Sequence, residues 1–477
     1  MTFRSQASLE YTLRSIILLV LLVVFAALML VPAAVPPSEG VVEAASYADP
    51  VTAFESGELL NARQAAENVS GTQTAAETRA WQELSQATDG LGASETESER
   101  YEILATYYEL KGAFLEDGTL TQGSNGHDNE LAARFSARRY RRLAEFGAAR
   151  DPNGKLWWGL PGECPALIYL AGAIPFQPAG YLSEGFYSLP LSLLTPQSLL
   201  FSNACLLWCV PATVIAWRVA RLRTRQRLFA QAPGGPAAKL FASSSSVVVS
   251  LLGFVAVACA PAALVTDIRN GAGSLAHPVT LMRDGAIIET CVGSVIASQL
   301  AILALMALVV SALVELMAKA SGSAALGAVT AALFCAVPLM PIYDLCARSG
   351  NAALQWLPQT YLNLRRVAGT PLETDDLSRE LLYIDTSSGA VETIIRGVDL
   401  TRAALMLGGT AAALLALALA AHALRRPSVH LVRSARTESP QPATFHRPAT
   451  RAATSASQSH GPAHAPATGG GTHAPRN

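Results

Sequence analysis

Charge is what this chain has least of. Charged side chains make up 15% of its 477 residues and hydrophobic ones 51%, too apolar a balance for an ordinary soluble enzyme. Residues 15–34 and 198–217 contain no Asp, Glu, Lys or Arg at all. As a helix each of these 20-residue runs is about 30 Å long, the thickness of a bilayer's hydrocarbon core. Catalytic signatures are missing too. There is no Gly-x-x-x-x-Gly-Lys-Ser/Thr loop, which excludes ATP hydrolysis of that kind by this chain alone. No His-Glu-x-x-His zinc helix and no Gly-x-Ser-x-Gly elbow occurs, so the chain reads as a non-enzyme. The seven cysteines form no metal or disulfide spacing, and Cys205, Cys209, Cys259, Cys291 and Cys335 lie in apolar stretches as packing groups. Buried charge is scarce as well: only Glu315 and Asp344 approach the apolar segments, at expected span ends where water reaches them.

What is present is a basic stretch directly after the second apolar run. Arg218, Arg221, Arg223, Arg225, Arg227 and Lys239 follow one another with no Asp or Glu between them. The positive-inside rule keeps such a loop cytoplasmic, and that assignment sets the sidedness of the rest. Residues 1–35 then hold a cytoplasmic N-terminus and a first span over 15–34; Ala33 and Ala34 leave cleavage open, but a run longer than a signal-peptide core favours an uncleaved span. Residues 3–14 read only weakly as an interfacial helix. Further spans are expected over 198–217, 240–266, 290–314, 323–343 and 403–424, with both termini inside and a cell-membrane location. The fold class is an all-α polytopic membrane protein of six transmembrane helices.

Residues 36–197 are expected outside as a mostly helical domain. They carry 22 Asp/Glu against 11 Lys/Arg. Asp49-Pro50 reads as a helix start, Ser94 with Glu97 as a capping box, and Tyr101, Leu104 and Tyr108 follow at helical spacing. Asp128 is placed to cap a helix bearing Arg138, Arg139, Arg141 and Arg142, whose favoured reading is a solvated face paired with nearby acids. Residues 164–182 are apolar but contain Pro165, Pro175, Pro178, Gly172 and Gly180, which points to an interfacial or re-entrant segment. A disulfide between Cys164 and Cys346, both on the expected outer side, is left open. The outer segment 347–399 contains two β-like runs around Thr386-Ser387-Ser388-Gly389, read as a hairpin. Residues 425–477 read as a disordered cytoplasmic tail, with 7 Arg against the single Glu438. Inside the spans, Ser243 to Ser246 could offer hydroxyls to a polar pathway or to a neighbouring helix, but they and Gly322, Gly327, Gly408 and Gly409 are read chiefly as small residues that let helices approach.

This layout resembles the permease subunits of ATP-binding-cassette exporters of the ABC-2 type. Two stretches carry the likeness. Residues 225–239, Arg-Gln-Arg-Leu-Phe-Ala-Gln-Ala-Pro-Gly-Gly-Pro-Ala-Ala-Lys, are similar to that family's basic loop, with a proline turn before the lysine that opens the third span. Leu357-Pro358-Gln359-Thr360-Tyr361-Leu362-Asn363, followed by Val367 and Gly369, looks like its Pro-x-Thr-Tyr-x-Asn stretch. The chain departs from the pattern in having no acid in the basic loop and a long tail.

The resemblance implies coupling. ATP and Mg would sit on a separate cytoplasmic ABC ATPase, with no cofactor on this chain. Its movement would arrive through residues 218–239, with Val219, Arg221, Leu222, Arg223, Arg225, Arg227, Phe229, Pro233 and Lys239 as the coupling residues. Pro358, Thr360, Tyr361, Asn363 and Gly369 would form the outer-loop motif. The expected partners are that ATPase, a second copy or a related permease, and the lipid bilayer, with no nucleic acid. Two other readings stay open: a non-transporting receptor or scaffold, and an ATP-driven mechanotransmitter acting on the cell envelope.

Overall fold

The structure is a computed structural model that describes residues 3–34, 74–120, 130–147, 164–175, 205–225, 235–283, 286–339, 346, 352–369 and 398–424. These are mostly helical. In chain order they form α1 (Phe3–Ala34), α2 (Ala75–Gln86), α3 (Glu97–Glu116), α4 (Glu130–Phe146) and α5 (Ala166–Ala173). Then come α6 (Cys205–Arg225), α7 (Pro236–Asn270), strands β1 (Pro278–Arg283) and β2 (Ala286–Cys291), and α8 (Val292–Ser321). The last helices are α9 (Ala324–Cys335), α10 (Leu364–Ala368) and α11 (Leu400–Leu424). The readings at Asp49-Pro50, Asp128, Asp344, residues 381–395 and the tail lie outside the described residues.

Helices α2 to α4 form a small domain with its own core. Thr74 caps α2, accepting from Glu77 N, while Glu77 reaches back to Thr74 N. The cap of α3 is Thr96 with Glu99, and not the expected Ser94 with Glu97. The reason is local: Ser94 closes the 3₁₀ turn Leu91–Ala93 by donating Oγ to Gly90 O. The helical spacing read from Tyr101 and Leu104 is the buried face of α3, which meets Leu84, Leu91, Tyr140 and Leu143. Tyr108 lies at its edge and stacks on Tyr140. The arginines of α4 pair with acids as expected: Arg141 with Glu109 at 2.6 Å and Arg142 with Glu145 at 2.9 Å. Exposed pairs of this kind contribute about 0–1 kcal/mol each, so the aromatic core carries the packing.

The second body is a bundle of long apolar helices. Among the described residues α7, α8 and α11 are long and apolar enough to cross a membrane, and the stretches Ile16–Val31 and Ala324–Cys335 are shorter apolar helices. Helix α8 is the hub, packed against α6, α7, α9 and α11. Helix α1 lies on α7, with Phe25 tilted on Trp208 at 5.0 Å and edge-on to Phe254 at 5.7 Å. On the far side of α7, Phe241, Val249, Val257, Leu264 and Ile268 are exposed, a face suited to hydrocarbon.

Helix ends depart from the expected spans. Helix α1 continues back to Phe3, because residues 3–14 hold no Gly or Pro to stop it. Helix α6 begins, among the described residues, at Cys205 and runs without a break to Arg225, so the basic segment is helical over 218–225. The expected fifth span is cut short: α9 has 12 residues and ends at Cys335. Pro338, in the 3₁₀ turn Val337–Leu339, has no N–H to continue the ladder. Thr290 and Cys291 belong to β2, one strand of a hairpin whose register runs from Pro278↔Cys291 to Arg283↔Ala286. The hairpin went unread in the sequence, although Asp284-Gly285 between apolar runs is a standard hairpin signal. Neither Cys164 nor Cys346 is in a disulfide; both are thiols.

The glycines separate into three kinds. A Cβ on Gly327 would lie 2.7 Å from Val314 O, so α9 and α8 touch backbone to backbone there. Gly322 is the left-handed cap of α8, and Gly408 and Gly409 face open space. Gly327→Ala is therefore expected to destabilise by about 1–3 kcal/mol through overpacking. Gly408→Ala should be neutral or stabilising by up to about 1 kcal/mol through helix propensity. Thermal unfolding in detergent measures both, and equal effects would contradict the packing.

Candidate functional site

The bundle has two chemically distinct ends. The basic end is built by the C-terminal turns of α6 and the first turn of α7. Arg218 and Arg221 emerge half-buried from α6, and the Arg221 guanidinium lies over the Trp217 ring at 5.9 Å from its centroid. Val219 packs on the bundle core. Leu222, Arg223 and Arg225 continue the same helix. Arg227, Phe229 and Pro233 lie outside the described residues. Pro236 opens α7 at a position where its missing N–H is no loss, and Lys239 N bonds Gly235 O in that first turn.

Directly inside this end is a buried polar contact between α7 and α8. Ser243 donates Oγ to Glu315 Oε1 at 2.9 Å, and one turn deeper Ser311 Oγ donates to Ser244 Oγ at 3.2 Å. This corrects the expectation for Glu315. Its residue is only 5% exposed, because α8 runs on to Ser321 and turns the carboxyl toward α7 instead of releasing it to water. Of the roles open to Ser243 and Ser244, the structure shows hydroxyls bonded across to the neighbouring helix. Lys239 stands four residues before Ser243 on α7, and Lys319 four residues after Glu315 on α8. The contact therefore joins the two long helices at the place where the basic segment enters the bundle.

The opposite, hairpin end is tied together by backbone carbonyls. Gln299 of α8, fully buried, donates Nε2 to Ala171 O of α5 at 2.8 Å and to Gly369 O at 2.9 Å. Trp208 Nε1 donates to Ile174 O at 2.7 Å, Tyr169 Oη donates to Met29 O, and Asn270 Nδ2 donates to Cys164 O at 3.0 Å. Arg269 donates to Ala33 O at 2.9 Å, placing a cation on the negative end of α1. Residues 164–175 are thus a short buried helix and its flanks.

The expected outer-loop motif lies at this end. Pro358 opens the 3₁₀ turn Pro358–Leu362, Thr360 Oγ1 donates to Leu354 O at 2.8 Å, and Tyr361 Oη donates to Gln355 O at 2.8 Å. Asn363 O accepts from Val367 N at 3.0 Å to start α10. Gly369 has φ +83°, and a Cβ there would collide with Leu281 of β1, so only glycine suits the position. The motif residues are brought to Gln299 and the hairpin and not to the basic coupling residues. Sequence reading missed Gln299. A lone amide in an apolar run was its one signal.

The hairpin also carries the helical domain. Ile287 of β2 packs with Leu131, Ala132 and Phe135 of α4, and Glu289 meets Arg142 at 3.5 Å and Arg138 at 3.8 Å. Beside this junction an open groove of about 550 Å³ is lined by Glu109, Glu116, Arg134, Arg138 and Ile287. Phe146 meets His277 edge-on at 5.5 Å. Burial, with the Arg139 charge adding to it, pushes His277 down to about 4. A histidine held neutral when docked and titrating near 6.5 when released contributes full stability above about pH 6.5. That contribution is lost as pH falls toward 4. Hydrogen exchange in α4 should therefore accelerate between about pH 6.5 and 4, once corrected for intrinsic exchange, and His277→Gln should remove that dependence. An unchanged profile in the variant would contradict the docking.

Among the described residues no group of three His, Cys, Asp or Glu side chains gathers to hold a metal ion. Comparison with protein-family models, with curated proteins and with solved structures finds no match to this chain.

Proposed function

We propose that the chain is the membrane-spanning subunit of an ABC-2-type exporter, driven by a separate cytoplasmic ABC ATPase that binds ATP and Mg. The observation that carries this reading is the basic end. An arginine-bearing helix leaves the bundle there beside a buried Ser243–Glu315 contact between two long apolar helices. Movement imposed on α6 and the first turn of α7 reaches α8 through that contact. No pathway through flexible surface is required. In this reading the basic end faces the cytoplasm, six segments cross the cell membrane, and α2 to α4 stand outside with the hairpin. A second copy or a related permease completes the transporter.

A second reading, force transmission to the cell envelope without transport, is favoured by one observation. Helix α4 is docked on β2 by Ile287 and Glu289, so the domain is mechanically joined to the turn between α7 and α8. A receptor or scaffold role has no comparable support.

Replacing Arg221, Arg223 and Phe229 together with alanine is expected to abolish stimulation of the co-purifying ATPase and at least tenfold of the transport rate, with membrane insertion unchanged. Insertion is read by fractionation and coupling by ATP hydrolysis in reconstituted vesicles. Normal coupling in that variant would contradict the proposed docking segment.

A further inference from the structure

The sheet of β1 and β2 has two strands among the described residues, and the outer edge of β2 is open. Val292 N donates to His277 O at 3.0 Å, next in register after Pro278↔Cys291. Backbone groups alternate in direction along an antiparallel strand, so Ile288 and Thr290 turn theirs toward β1. Ile287, Glu289 and Cys291 turn theirs the other way, to a side where no described strand receives them. Proteins commonly blunt such an edge with proline, lysine or a bulge. The run Ala-Ile-Ile-Glu-Thr-Cys has no proline or lysine, and its register is continuous. Ile288 is 37% exposed although Leu281, its partner across the ladder, is buried. Two strands alone are marginal in water, and a third is a common remedy.

The space for a third strand is already framed. Helix α4 lies across β1, and α3 packs beside α4. Helices packed in this way lie about 8–10 Å apart, two strand spacings of about 4.8 Å. The open groove of about 550 Å³ runs between α3, α4 and Ile287. Ala113, Ala137 and Leu131 give it an apolar lining, and Arg138, loosely paired with Glu289 at 3.8 Å, gives it a cation. A strand added to β2 sends alternate side chains into this groove beside Ile287 and the others to the side of Ile288.

The chain itself leaves and returns at this place. Gly369 sits against Leu281, across the ladder from Ile288, and Val398 rejoins the same apolar core. Residues 370–397 between them lie outside the described residues. Their sequence contains Val391-Glu392-Thr393-Ile394-Ile395, one of the two β-like runs read from the sequence. Alternation puts Glu392 and Ile394 on one face of that run, which matches Arg138 and the apolar lining of the groove. Val391, Thr393 and Ile395 fall on the other face, which matches exposed Ile288.

We propose that the outer edge of β2 is the docking site for residues 391–395 of this chain, with Glu392 and Ile394 directed into the groove. The pairing gives Ile287 N and Glu289 N their acceptors, covers Ile288 and brings a carboxylate to Arg138. It also ties the segment before α11 to the helical domain, a link that holds whether or not the chain transports anything.

Hydrogen exchange on the full chain in detergent reads the edge without any substitution. The Ile287 and Glu289 amides are expected to exchange within tenfold of the Ile288 amide, which β1 protects. Replacing residues 381–395 with a Gly-Ser linker of equal length should speed those two at least tenfold more than Ile288. Cross-linking then identifies the occupant. Ile288→Cys is combined in turn with Val391→Cys, Glu392→Cys, Thr393→Cys, Ile394→Cys and Ile395→Cys. Cys291 and Cys346, the two half-buried thiols among the described residues, are changed to serine. Mild oxidation should bridge one chain at position 391, 393 or 395 at least fivefold faster than at 392 or 394. Rapid exchange of Ile287 and Glu289 in the wild-type chain overturns the proposal and leaves the edge to another protein. Bridges joining two chains also overturn it, because a second copy then takes the edge. So do bridges formed equally at all five positions, or at none in folded variants.

Discussion

A polar group taken out of water must find its partner inside the protein, and this bundle is arranged around that requirement. In lipid, apolar side chains gain little by meeting one another, so helix association rests on close packing and on interhelical hydrogen bonds. On α8 those bonds are few and lie chiefly near its two ends. Gln299 fastens α8 to α5 and to Gly369 near one terminus, and Glu315 fastens it to Ser243 near the other. Between them α8 is apolar except at Ser311. Helix α8 is therefore held as a strut whose two fixed points belong to different parts of the chain.

What those parts are follows from the chain's connectivity. At one end Glu315 meets Ser243, just beyond the first turn of α7. At the other, β1 and β2 join α7 to α8 and support α4 through Ile287, Glu289 and His277. Gly369 against Leu281 and Gly327 against Val314 O show close packing at both ends.

Much of the helical layout was legible in the sequence. Charge-free runs mark α7, α8 and α11, and the Arg218-to-Lys239 cluster stands out without any structure. Helix ends were less legible. Nothing in Arg218 or Arg221 tells a helix to stop, so α6 continues to Arg225, whereas Pro338 ends α9 early. The polar contacts were not legible at all, for a physical reason. Gln299 bonds carbonyls 128 and 70 residues away, and every residue carries a carbonyl, so no pattern of side chains announces the partner. Glu315 was misjudged because position along a helix was used where the facing side decides. The Pro358-to-Gly369 stretch was noticed by its resemblance, but its role in holding Leu281 and Gln299 appears only in three dimensions.

The proposed mechanism has one orientation on which everything else turns: the arginines of α6 lie inside the cell and α3 lies outside it. Labelling of intact cells with an impermeant thiol reagent tests this most directly. Single cysteines replace Gln226 or Ser94 in a background cleared of the seven native ones. The account predicts labelling at position 94 and none at 226 until the membrane is opened. Labelling at 226 with protection at 94 would contradict it.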